Sequence, residues 1–533
     1  MNSPLNKRLN SQKKMRHTRF VLLLLLVTCS LTDRIIGQNT KESQPVISRE
    51  YGYNHLSGYL KSLLDQYLDT YFPAGMQMDQ VLTDLASLRN TTRVAEALLF
   101  RNHPGDKENA ITILRWILKN QHTDESSDSY GLWKTNLQKD RLDQNWREFI
   151  GCDLILIYHN YQQILPADLV ADIRTGLIHA AHGALRRNVT AEYSNISSMS
   201  AFLMNFVGNE FQIDELKNGG LNKAHEIYQL YNRCHTFSEY NSPTYYGVTL
   251  IGFALWRQLS NGEMKTMGSY LENSIWNEIA SNYQPRLRNL TGPYFRSYGM
   301  DMQKYLSITG LWMAVALDDK NLAPIPKTDG AKEDELGNLA PILHLGLSIP
   351  EKVLPLLKEN NEVRVIDRMV PDHAFGDTLK RVTAAIHPDW MMGGIWGSRR
   401  VFAQIKTGTI HWQNGSGESE WLLVPGEGTT NVRVTKTKMS VFKNAVASRE
   451  FTIYLYARDV SVSYFSEKWW KFSTMKFEVK SLLKIEYKIV TDPAILHHVC
   501  ELSENYPAVM KITLHIPSDW KNEQPLVEIT PTR

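Results

Sequence analysis

Residues 239–259 read EYNSPTYYGVTLIGFALWRQL, in which a polar and aromatic cluster runs directly into an apolar stretch. The proline restricts the approach and the apolar residues recur at helical spacing, so the stretch predicts a helix over about 245–259 with a buried face. Glu239, Asn241 and Tyr246 then lie at the start of that helix. A polar cluster in this position acts as a helix cap, a glycan contact or a catalytic site.

Further amphipathic stretches surround this helix, and nearly every one is followed by a polar or Gly/Pro-bearing break. They lie at 54–70, 106–121, 143–162, 167–187, 195–208, 221–233, 265–283 and 302–317. No residue pattern repeats at a fixed period, which argues against TPR-like and ankyrin-like arrays. The succession of helical hairpins predicts a bundle, a solenoid or a closed ring of helices over 50–320.

The composition changes after the helical region. Residues 321–340 are rich in Pro, Asp, Lys and Gly and are predicted to connect two domains. From 341 to 533, after a short helical stretch near 350–360, apolar and polar residues alternate with β-branched and aromatic enrichment. This pattern predicts an antiparallel sheet or sandwich of about ten strands.

Composition and charge exclude several classes of protein. The chain has 533 residues, of which 43% are hydrophobic and 22% charged, and a formal net charge of +3. It can bury a large core, and the nearly balanced charge excludes nucleic-acid binding by bulk electrostatics. It contains no H-E-x-x-H, no C-x-x-C and no convincing Gly-rich phosphate loop, so the sequence predicts no metal and no cofactor.

The N-terminal sequence predicts secretion. MRHTRF followed by VLLLLLV has the basic and apolar regions of a signal peptide over 1–37, with cleavage expected between about Ser30 and Gln38. The apolar run is too short to span a bilayer, so we expect no membrane association after cleavage. Because no A-x-A site is present, an uncleaved signal anchor is the alternative.

Sequons and cysteines fit an extracellular chain. The N-x-S/T sequons are at Asn90, Asn188, Asn195, Asn289 and Asn414, and all but Asn195 are predicted to carry glycans. Three cysteines remain after signal removal. Cys152 and Cys234 either form a disulfide or, like Cys500, serve as small buried residues.

Polar stretches in the helical region combine amide or charged side chains with aromatic rings. They are DQNWREFIG at 143–151, EYSNISSM at 192–199, EYNSPTYYG at 239–247 and GPYFRSYGMD at 292–301. Rings stack on sugars, while Asn, Glu and Arg bond hydroxyls and carboxylates, so the combination is typical of a carbohydrate site. Trp133, on the loop SYGLWKTN, and Trp146 are candidate sugar platforms, although Trp146 at a helix start equally suits packing.

The order of these stretches resembles that in the hyaluronate and chondroitin lyases. The matching residues are Asn145, Trp146, Ile150 and Gly151, then Asn195, then Tyr246 with Gly247, then Arg296. HPDWMMGGIWGSRR at 387–400 is similar to the opening of the family's β domain. The resemblance implies an (α/α) toroid followed by an antiparallel β-sandwich, and a secreted protein that cleaves a uronate-containing polysaccharide by β-elimination without a cofactor.

The resemblance also implies roles for single residues. Tyr246 would remove the C5 proton and return it to the leaving oxygen, with Arg296 lowering the pKa of its hydroxyl. Asn195 and Asn241 would neutralise the uronate carboxylate. The substrate-binding residues would be Trp133, Asn145, Trp146 and Glu239.

One departure from the family leaves alternatives open. The family places a histidine ahead of the tyrosine, whereas this chain has Glu239, whose charge opposes binding of an anionic sugar. A non-catalytic glycan-binding or extracellular matrix protein that keeps the lyase fold is one alternative. A glycoside hydrolase that uses Glu239 with Glu148 or Asp301 is another. Arg296 paired with Asp301 is the structural alternative for that arginine.

Asn195 carries two incompatible predictions. It lies in a sequon and also matches the lyase position for a carboxylate neutraliser. A glycosylated asparagine cannot line a catalytic site, so it is either buried and unmodified or exposed and outside the site.

Overall fold

The computed structural model describes residues 45–533 except 74, 79, 81, 83–86, 136–141, 327–331, 373–377, 400, 445–447, 493–496, 498–499, 501–505 and 533. The predicted signal peptide at 1–37 lies outside the described residues. Residues 47–533 form one compact unit, which consists of a helical half followed by a β half.

The helical half has two kinds of helix. The α-helices among the described residues are α1 (Gly58–Tyr71), α2 (Leu88–Arg101), α3 (Asp106–Lys119), α4 (Trp146–Tyr161), α5 (Ala167–Arg187), α6 (Ser194–Glu210), α7 (Asp214–Cys234), α8 (Tyr246–Leu259), α9 (Gly262–Asn282), α10 (Ile308–Leu317), α11 (Leu339–Leu345) and α12 (Val353–Lys358). Helices α2, α4, α6, α8 and α10 contact one another in turn, and each of the first four packs against the helix that follows it. Among the described ranges, no helix has the length and apolar character needed to cross a membrane.

The inner helices close into a ring. Helix α11 contacts α1, α2, α4 and α8, so the end of the helical series returns to its beginning. Inner helices are buried on nearly every side, whereas outer helices such as α5 and α7 bury one face. The helical half is therefore an (α/α) toroid, which confirms the predicted fold class.

Helix α2 is an inner helix that lies outside the amphipathic stretches predicted from the sequence. Ser87 caps it by accepting the Asn90 N–H at 3.4 Å. Its buried residues include Thr91, Arg93 and Glu96. Polar and apolar residues are thus buried together, and almost no part of the helix faces water.

The β half consists of two antiparallel sheets. Its strands are β6 (Arg364–Pro371), β7 (Leu379–Ile386), β8 (Trp390–Trp396), β9 (Val401–Gln413), β10 (Ser419–Glu427), β11 (Thr430–Val434), β12 (Met439–Lys443), β13 (Glu450–Tyr456), β14 (Trp469–Lys471), β15 (Lys476–Lys480), β16 (Lys484–Val490), β17 (Val509–His515) and β18 (Val527–Thr532). Shorter strands precede them: β1 (Val46–Arg49), β2 (Tyr283–Gln284), β3 (Asn289–Leu290), β4 (Tyr294–Phe295) and β5 (Leu347–Pro350).

The two sheets share one core. One has the order β16-β17-β13-β10-β9-β8-β7-β6, and the other has the order β11-β12-β18-β15-β14. Ile410 and Phe451 of the first sheet pack in the same apolar cluster as Trp470 and Ile529 of the second. Two sheets that face each other across a common core form a β-sandwich, as predicted.

Strand β4 joins the helical half to this sandwich. Tyr294 pairs with Lys406 and Phe295 with Ile405, so β4 extends the larger sheet beside β9. Arg296 follows β4 directly, and its Nε donates to Gln404 Oε1 at 3.3 Å. The β half thus positions a residue of the helical half. The boundaries at 320 and 341 stay a prediction.

Helices α8 and α10 approach each other closely at Gly247. The Gly247 N–H donates to Thr309 Oγ1 at 2.8 Å, and Trp312 Nε1 donates to Gly247 O at 3.0 Å. A Cβ on Gly247 would lie 2.3 Å from the carbonyl carbon of Ile308 and from the nitrogen of Thr309. Only glycine permits this approach without moving a helix.

We expect Gly247→Ala to lower the free energy of unfolding by about 1–3 kcal/mol, because the added methyl group overpacks two backbones. Urea denaturation followed by tryptophan fluorescence measures the change. Gly58→Ala is the matched control, since a Cβ there meets nothing within 4 Å. Equal stability of the two variants would show that α8 and α10 do not approach as described.

Candidate functional site

The polar stretch before α8 lies alongside strand β4. The Phe295 N–H donates to Tyr240 O at 3.1 Å. Asn241 Nδ2 donates to Pro293 O at 3.0 Å and also to Thr291 O. Asn241 is fully buried. Its amide therefore fixes the backbone of the neighbouring segment, which corrects the prediction that it neutralises a substrate carboxylate.

Ser242 connects the start of α8 to Arg296. Its hydroxyl accepts the Tyr245 N–H at 2.9 Å and donates to Arg296 O. Ser242 thus holds the turn that precedes α8 and ties it to Arg296. Arg296 has φ of 74°, a left-handed conformation that costs a non-glycine residue about 1–3 kcal/mol.

Glu239 is buried and held by three donors. Its Oε2 accepts from Ser194 Oγ at 2.9 Å and from the Asn195 N–H at 3.0 Å, while Arg296 Nη1 lies 2.5 Å from Oε1. The carboxylate has no exposed surface. A carboxylate engaged in this way cannot reach a glycosidic bond, which argues against the hydrolase reading of Glu239.

Arg296 is paired with Glu239 rather than with Asp301. Burial lowers the pKa of the Arg296 guanidinium, but Glu239, Tyr245 and Tyr193 raise it, and the net pKa lies above its usual value. Asp301 is buried and accepts the Gln303 N–H at 2.9 Å. Burial raises the pKa of Asp301 to about 6.

The Arg296 side chain lies between two half-buried tyrosines. Its Cζ is 3.8 Å from the ring centroid of Tyr245 and 5.3 Å from that of Tyr193. The Tyr245 hydroxyl lies 3.0 Å from that of Tyr298, and Asn145 Nδ2 donates to the Tyr193 hydroxyl at 3.1 Å. These five residues are called the Arg296 cluster. They combine a cation, an amide and three aromatic faces.

The adjacent tyrosines of α8 have different surroundings. Tyr246 is fully buried, and burial raises the pKa of its hydroxyl, with Glu278 and Tyr240 adding to the rise. Tyr245 is half-buried, and burial raises its pKa while Arg296 opposes the rise. Tyr245 therefore contacts Arg296. This corrects the prediction that Tyr246 is the tyrosine beside the arginine.

The cluster lies where the N-terminal ends of the inner helices converge. Asn145 immediately precedes α4, Tyr193 immediately precedes α6 and Tyr245 immediately precedes α8. Arg89, in the first turn of α2, has its Cζ 5.9 Å from the Trp146 ring centroid. Each helix N-terminus carries a partial positive charge, so their convergence favours an anionic ligand.

The remaining predicted site residues differ in exposure. Asn195 is buried at the start of α6, and its backbone N–H donates to Glu239. The structure therefore supports an Asn195 without a glycan and argues against its direct contact with a substrate. Trp133 is fully buried. A ring without an exposed face cannot stack on a sugar, which corrects the prediction for Trp133. Trp146 is half-buried beside the cluster and keeps the platform role as a prediction.

The sequon asparagines also differ in exposure. Asn188 ends α5 and is exposed, and Asn289 is buried with its Nδ2 donating to Met300 O at 2.8 Å. The other buried sequon asparagines are Asn90, Asn195 and Asn414. Because a glycan needs an accessible side-chain nitrogen, the folded chain accommodates one at Asn188, and the predictions for Asn90, Asn289 and Asn414 conflict with burial.

Cys152 and Cys234 form no disulfide with each other. Cys152 is buried in α4, where its Sγ lies 3.8 Å from Met199 O, and burial raises the pKa of its thiol. Of the two readings of these cysteines, the structure supports separate thiols. Over the part of the chain that the structure describes, no group of three or more His, Cys, Asp or Glu side chains is placed to hold a metal ion.

Comparison with known proteins places the chain in a family. The sequence profile described as Domain of unknown function (DUF8769) matches residues 60–345, and no curated protein matches the chain. Among solved structures, the chain is similar to heparinase III, with 9% identity and a TM-score of 0.45 over 94% of this chain and 88% of that chain. It is also similar to the Streptomyces coelicolor A3 chondroitin AC lyase in complex with chondroitin sulphate, with 9% identity and a TM-score of 0.38 over 89% and 83% of the two chains. The second of these is a lyase by name, and the likeness to both concerns the fold alone. Because the profile spans more than half of the 533 residues, the chain belongs to the DUF8769 family.

Proposed function

We propose that this protein binds a uronate-containing polysaccharide at the Arg296 cluster and acts on it as a lyase, with Tyr245 as the proton-transfer group. The observation that carries this proposal is the guanidinium of Arg296, 3.8 Å from the Tyr245 ring centroid at the convergence of the helix N-termini. A uronate needs positive charge for its carboxylate, a base for its C5 proton and rings for its sugar faces. The cluster contains all three.

The elimination would proceed through the Tyr245 oxygen. With the uronate carboxylate near Arg296, the tyrosinate takes the C5 proton, and the electron pair of that C–H bond forms the C4–C5 double bond. The C4–O bond breaks, and its electrons leave with the oxygen of the departing sugar. Tyr245 then returns the proton to that oxygen, so the products are an unsaturated uronate and a new sugar hydroxyl.

We expect the elimination rate to rise with pH. Burial holds the pKa of Tyr245 above its usual value of about 10, so at neutral pH the reactive tyrosinate is a small fraction of the enzyme. Below the pKa this fraction grows about tenfold for each pH unit. Initial rates of ultraviolet absorbance from about pH 6.5 to about pH 9 measure the dependence. A rate that falls through this interval would contradict tyrosinate as the base.

Glycan binding without catalysis is a second candidate function. It is favoured by the buried ion pair, because Glu239 already offsets the charge of Arg296 that a substrate carboxylate would use. It is also favoured by the raised pKa of Tyr245, which disfavours the tyrosinate. In this case the aromatic faces and helix N-termini would still retain an acidic polysaccharide.

One experiment separates the candidates. The purified protein is incubated with hyaluronan, chondroitin, alginate and glucuronan while absorbance of the unsaturated uronate and retention in affinity electrophoresis are followed. Absorbance with retention supports the lyase, and retention with a flat trace supports the binding protein. If none of the four polysaccharides gives absorbance or retention, both candidate functions are rejected. New reducing ends without absorbance, lost in Glu239→Gln, would restore the hydrolase reading.

Secretion is part of the same proposal and rests on the N-terminal sequence. Expression of the full chain in eukaryotic cells should release it into the medium with a new N-terminus between about Ser30 and Gln38. Mass spectrometry of the released protein locates that terminus and any glycan on Asn188. A cell-retained protein with an intact N-terminus would instead support the signal anchor.

A further inference from the structure

A cavity of about 220 Å³ lies beside the Arg296 cluster, between the loop at 124–130 and the adjoining ends of α4 and α5. Three arginines line it: Arg147, Arg186 and Arg187. Its carboxylates, Glu125 and Asp128, are exposed, so water screens their charges. The buried side of the cavity is therefore cationic.

Arg147 is the buried wall of this cavity. Its Nε and Nη2 donate to Tyr130 O at 3.2 and 2.8 Å. Its Nη1 is buried and has no hydrogen-bond partner among the described residues. A buried donor without an acceptor costs about 1–3 kcal/mol, and because Nη1 has almost no accessible surface it would act on a bound anion through its charge rather than by direct contact.

The other arginines are held in place by neighbouring groups. Arg186 has its Cζ 4.5 Å from the Tyr130 ring centroid and donates to Glu125 O. Arg187 donates to Glu148 Oε2 at 3.0 Å and to Asn145 Oδ1 at 2.7 Å. Ordered guanidinium groups lose less conformational entropy when they bind an oxyanion.

Gly183 packs closely against the residues that form the cavity wall. A Cβ at this position would lie 2.2 Å from Tyr130 O and 2.6 Å from Arg147 Nε. Any larger residue would displace the loop or the buried guanidinium. The glycine within α5 thus allows the helix to pack against the loop while Arg147 remains at the cavity wall.

A line of hydrogen bonds connects the cavity to the Arg296 cluster. Arg187 Nη2 donates to Asn145 Oδ1 at 2.7 Å, and Asn145 Nδ2 donates to the Tyr193 hydroxyl at 3.1 Å. Tyr193 in turn stacks on Arg296. Asn145 and Tyr193 therefore couple the cavity wall to the Arg296 cluster through direct contacts.

We propose that the cavity binds an oxyanion substituent, a sulfate ester or a carboxylate, on a sugar unit of the same polysaccharide outside the one held at Tyr245. The proposal rests on the proposed function and adds a specificity determinant to it. Guanidinium groups recognise planar and tetrahedral oxyanions through paired N–H donors. The cavity would favour chains that carry a negative charge at a fixed interval from the reacting uronate.

Binding of defined oligosaccharides to the full-length protein tests this inference. The probes are hexasaccharides of chondroitin sulfate and of unsulfated chondroitin. The disaccharide is the comparison ligand, because it is too short to occupy the Arg296 cluster and the cavity at once. We expect Arg186→Gln to weaken hexasaccharide binding roughly tenfold while disaccharide binding is unchanged, because one charge-assisted contact is lost. A loss confined to the sulfated chain identifies a sulfate, and an equal loss for both identifies a carboxylate.

Arg174→Gln is the matched control. Arg174 is exposed on the same helix, and its Cζ lies 4.8 Å from the Phe211 ring centroid, so the variant makes the same change in charge and stacking. Gly183→Ala gives a second variant, which displaces the Arg147 guanidinium or the loop at 124–130 without removing charge. Equal hexasaccharide affinity of the wild type, Arg186→Gln and Gly183→Ala would overturn the inference.

The two proposals fail in different ways. If the wild type binds neither hexasaccharide nor disaccharide, the proposed function fails and this inference falls with it. If the wild type binds all ligands and Arg186→Gln and Arg174→Gln match it, only the cavity proposal fails. Circular dichroism of each variant confirms that the comparison is made on folded protein.

Discussion

We expect Glu239→Gln to lower the free energy of unfolding by about 3–5 kcal/mol, the range for removing one partner of a buried ion pair. The carboxylate accepts from Ser194, from the Asn195 N–H and from Arg296, and it has no exposed surface. A glutamine amide has one oxygen, so its NH₂ group would face a donor. The charge of Arg296 would also lose its buried partner. Urea denaturation followed by tryptophan fluorescence measures the loss.

Glu263→Gln is the control for that substitution. Glu263 lies 2.9 Å from His225 with its side chain 57% exposed, and surface pairs contribute about 0–1 kcal/mol. A double variant, Glu239→Gln with Arg296→Gln, should recover part of the loss, because it removes the uncompensated charge. A loss below about 1 kcal/mol in Glu239→Gln would show that the pair is solvated and that Arg296 is available to a substrate.

Tyr245→Phe should lower the elimination rate by about 10²–10⁴-fold, the usual contribution of a general acid–base group. The phenyl ring keeps the stack on Arg296, so binding of the polysaccharide should change little. The lost contact is the hydroxyl pair with Tyr298 at 3.0 Å. Initial rates of absorbance and retention in affinity electrophoresis, measured on the same preparations, separate the loss of chemistry from a loss of binding.

Tyr246→Phe is the neighbouring control. Its hydroxyl is buried near Glu278 on the side of α8 away from Arg296, so we expect an unchanged elimination rate. The opposite pattern, with loss in Tyr246→Phe and full activity in Tyr245→Phe, would return the base to the residue indicated by sequence. If the wild type is retained but produces no absorbance, no elimination rate can be measured for either variant. That result would support the non-catalytic candidate.

The architecture could be predicted from sequence where burial is one-sided. Outer helices such as α5 and strands such as β17 and β18 have a partly exposed face, which appears in the sequence as a period of polar residues. Helix α2 was not among the predicted stretches, and its charged residues Arg93 and Glu96 are buried beside apolar ones. Trp133 was misassigned for a related reason, since its loop is packed rather than exposed.

The site could be predicted only to within a residue. Sequence order brought Glu239 and Arg296 into one hypothesis, but a shift of one residue on a helix turns a side chain by about 100°. That rotation separates Tyr245 from Tyr246. Asn241 was misassigned because its partners, the carbonyls of Thr291 and Pro293, are fixed by a long-range strand contact.

The cavity beside Arg147 had a weaker signal in the sequence. Its walls come from a loop and the ends of two helices, and no local sequence pattern indicates that these three segments lie together. Gly183 in the middle of a helical stretch was the available indication, since an isolated glycine in a helix often marks close packing.

The pairing of strand β4 with β9 determines when the site can form during translation. Tyr294 and Phe295 leave the ribosome well before Lys406 and Ile405, so β4 has no partner while the toroid is being made. Until β9 emerges, the segment that carries Arg296 has its contacts with the residues before α8 but lacks those with Gln404 and with the larger sheet. The region matched by the DUF8769 profile, which ends at 345, stops before β9 and lacks them as well.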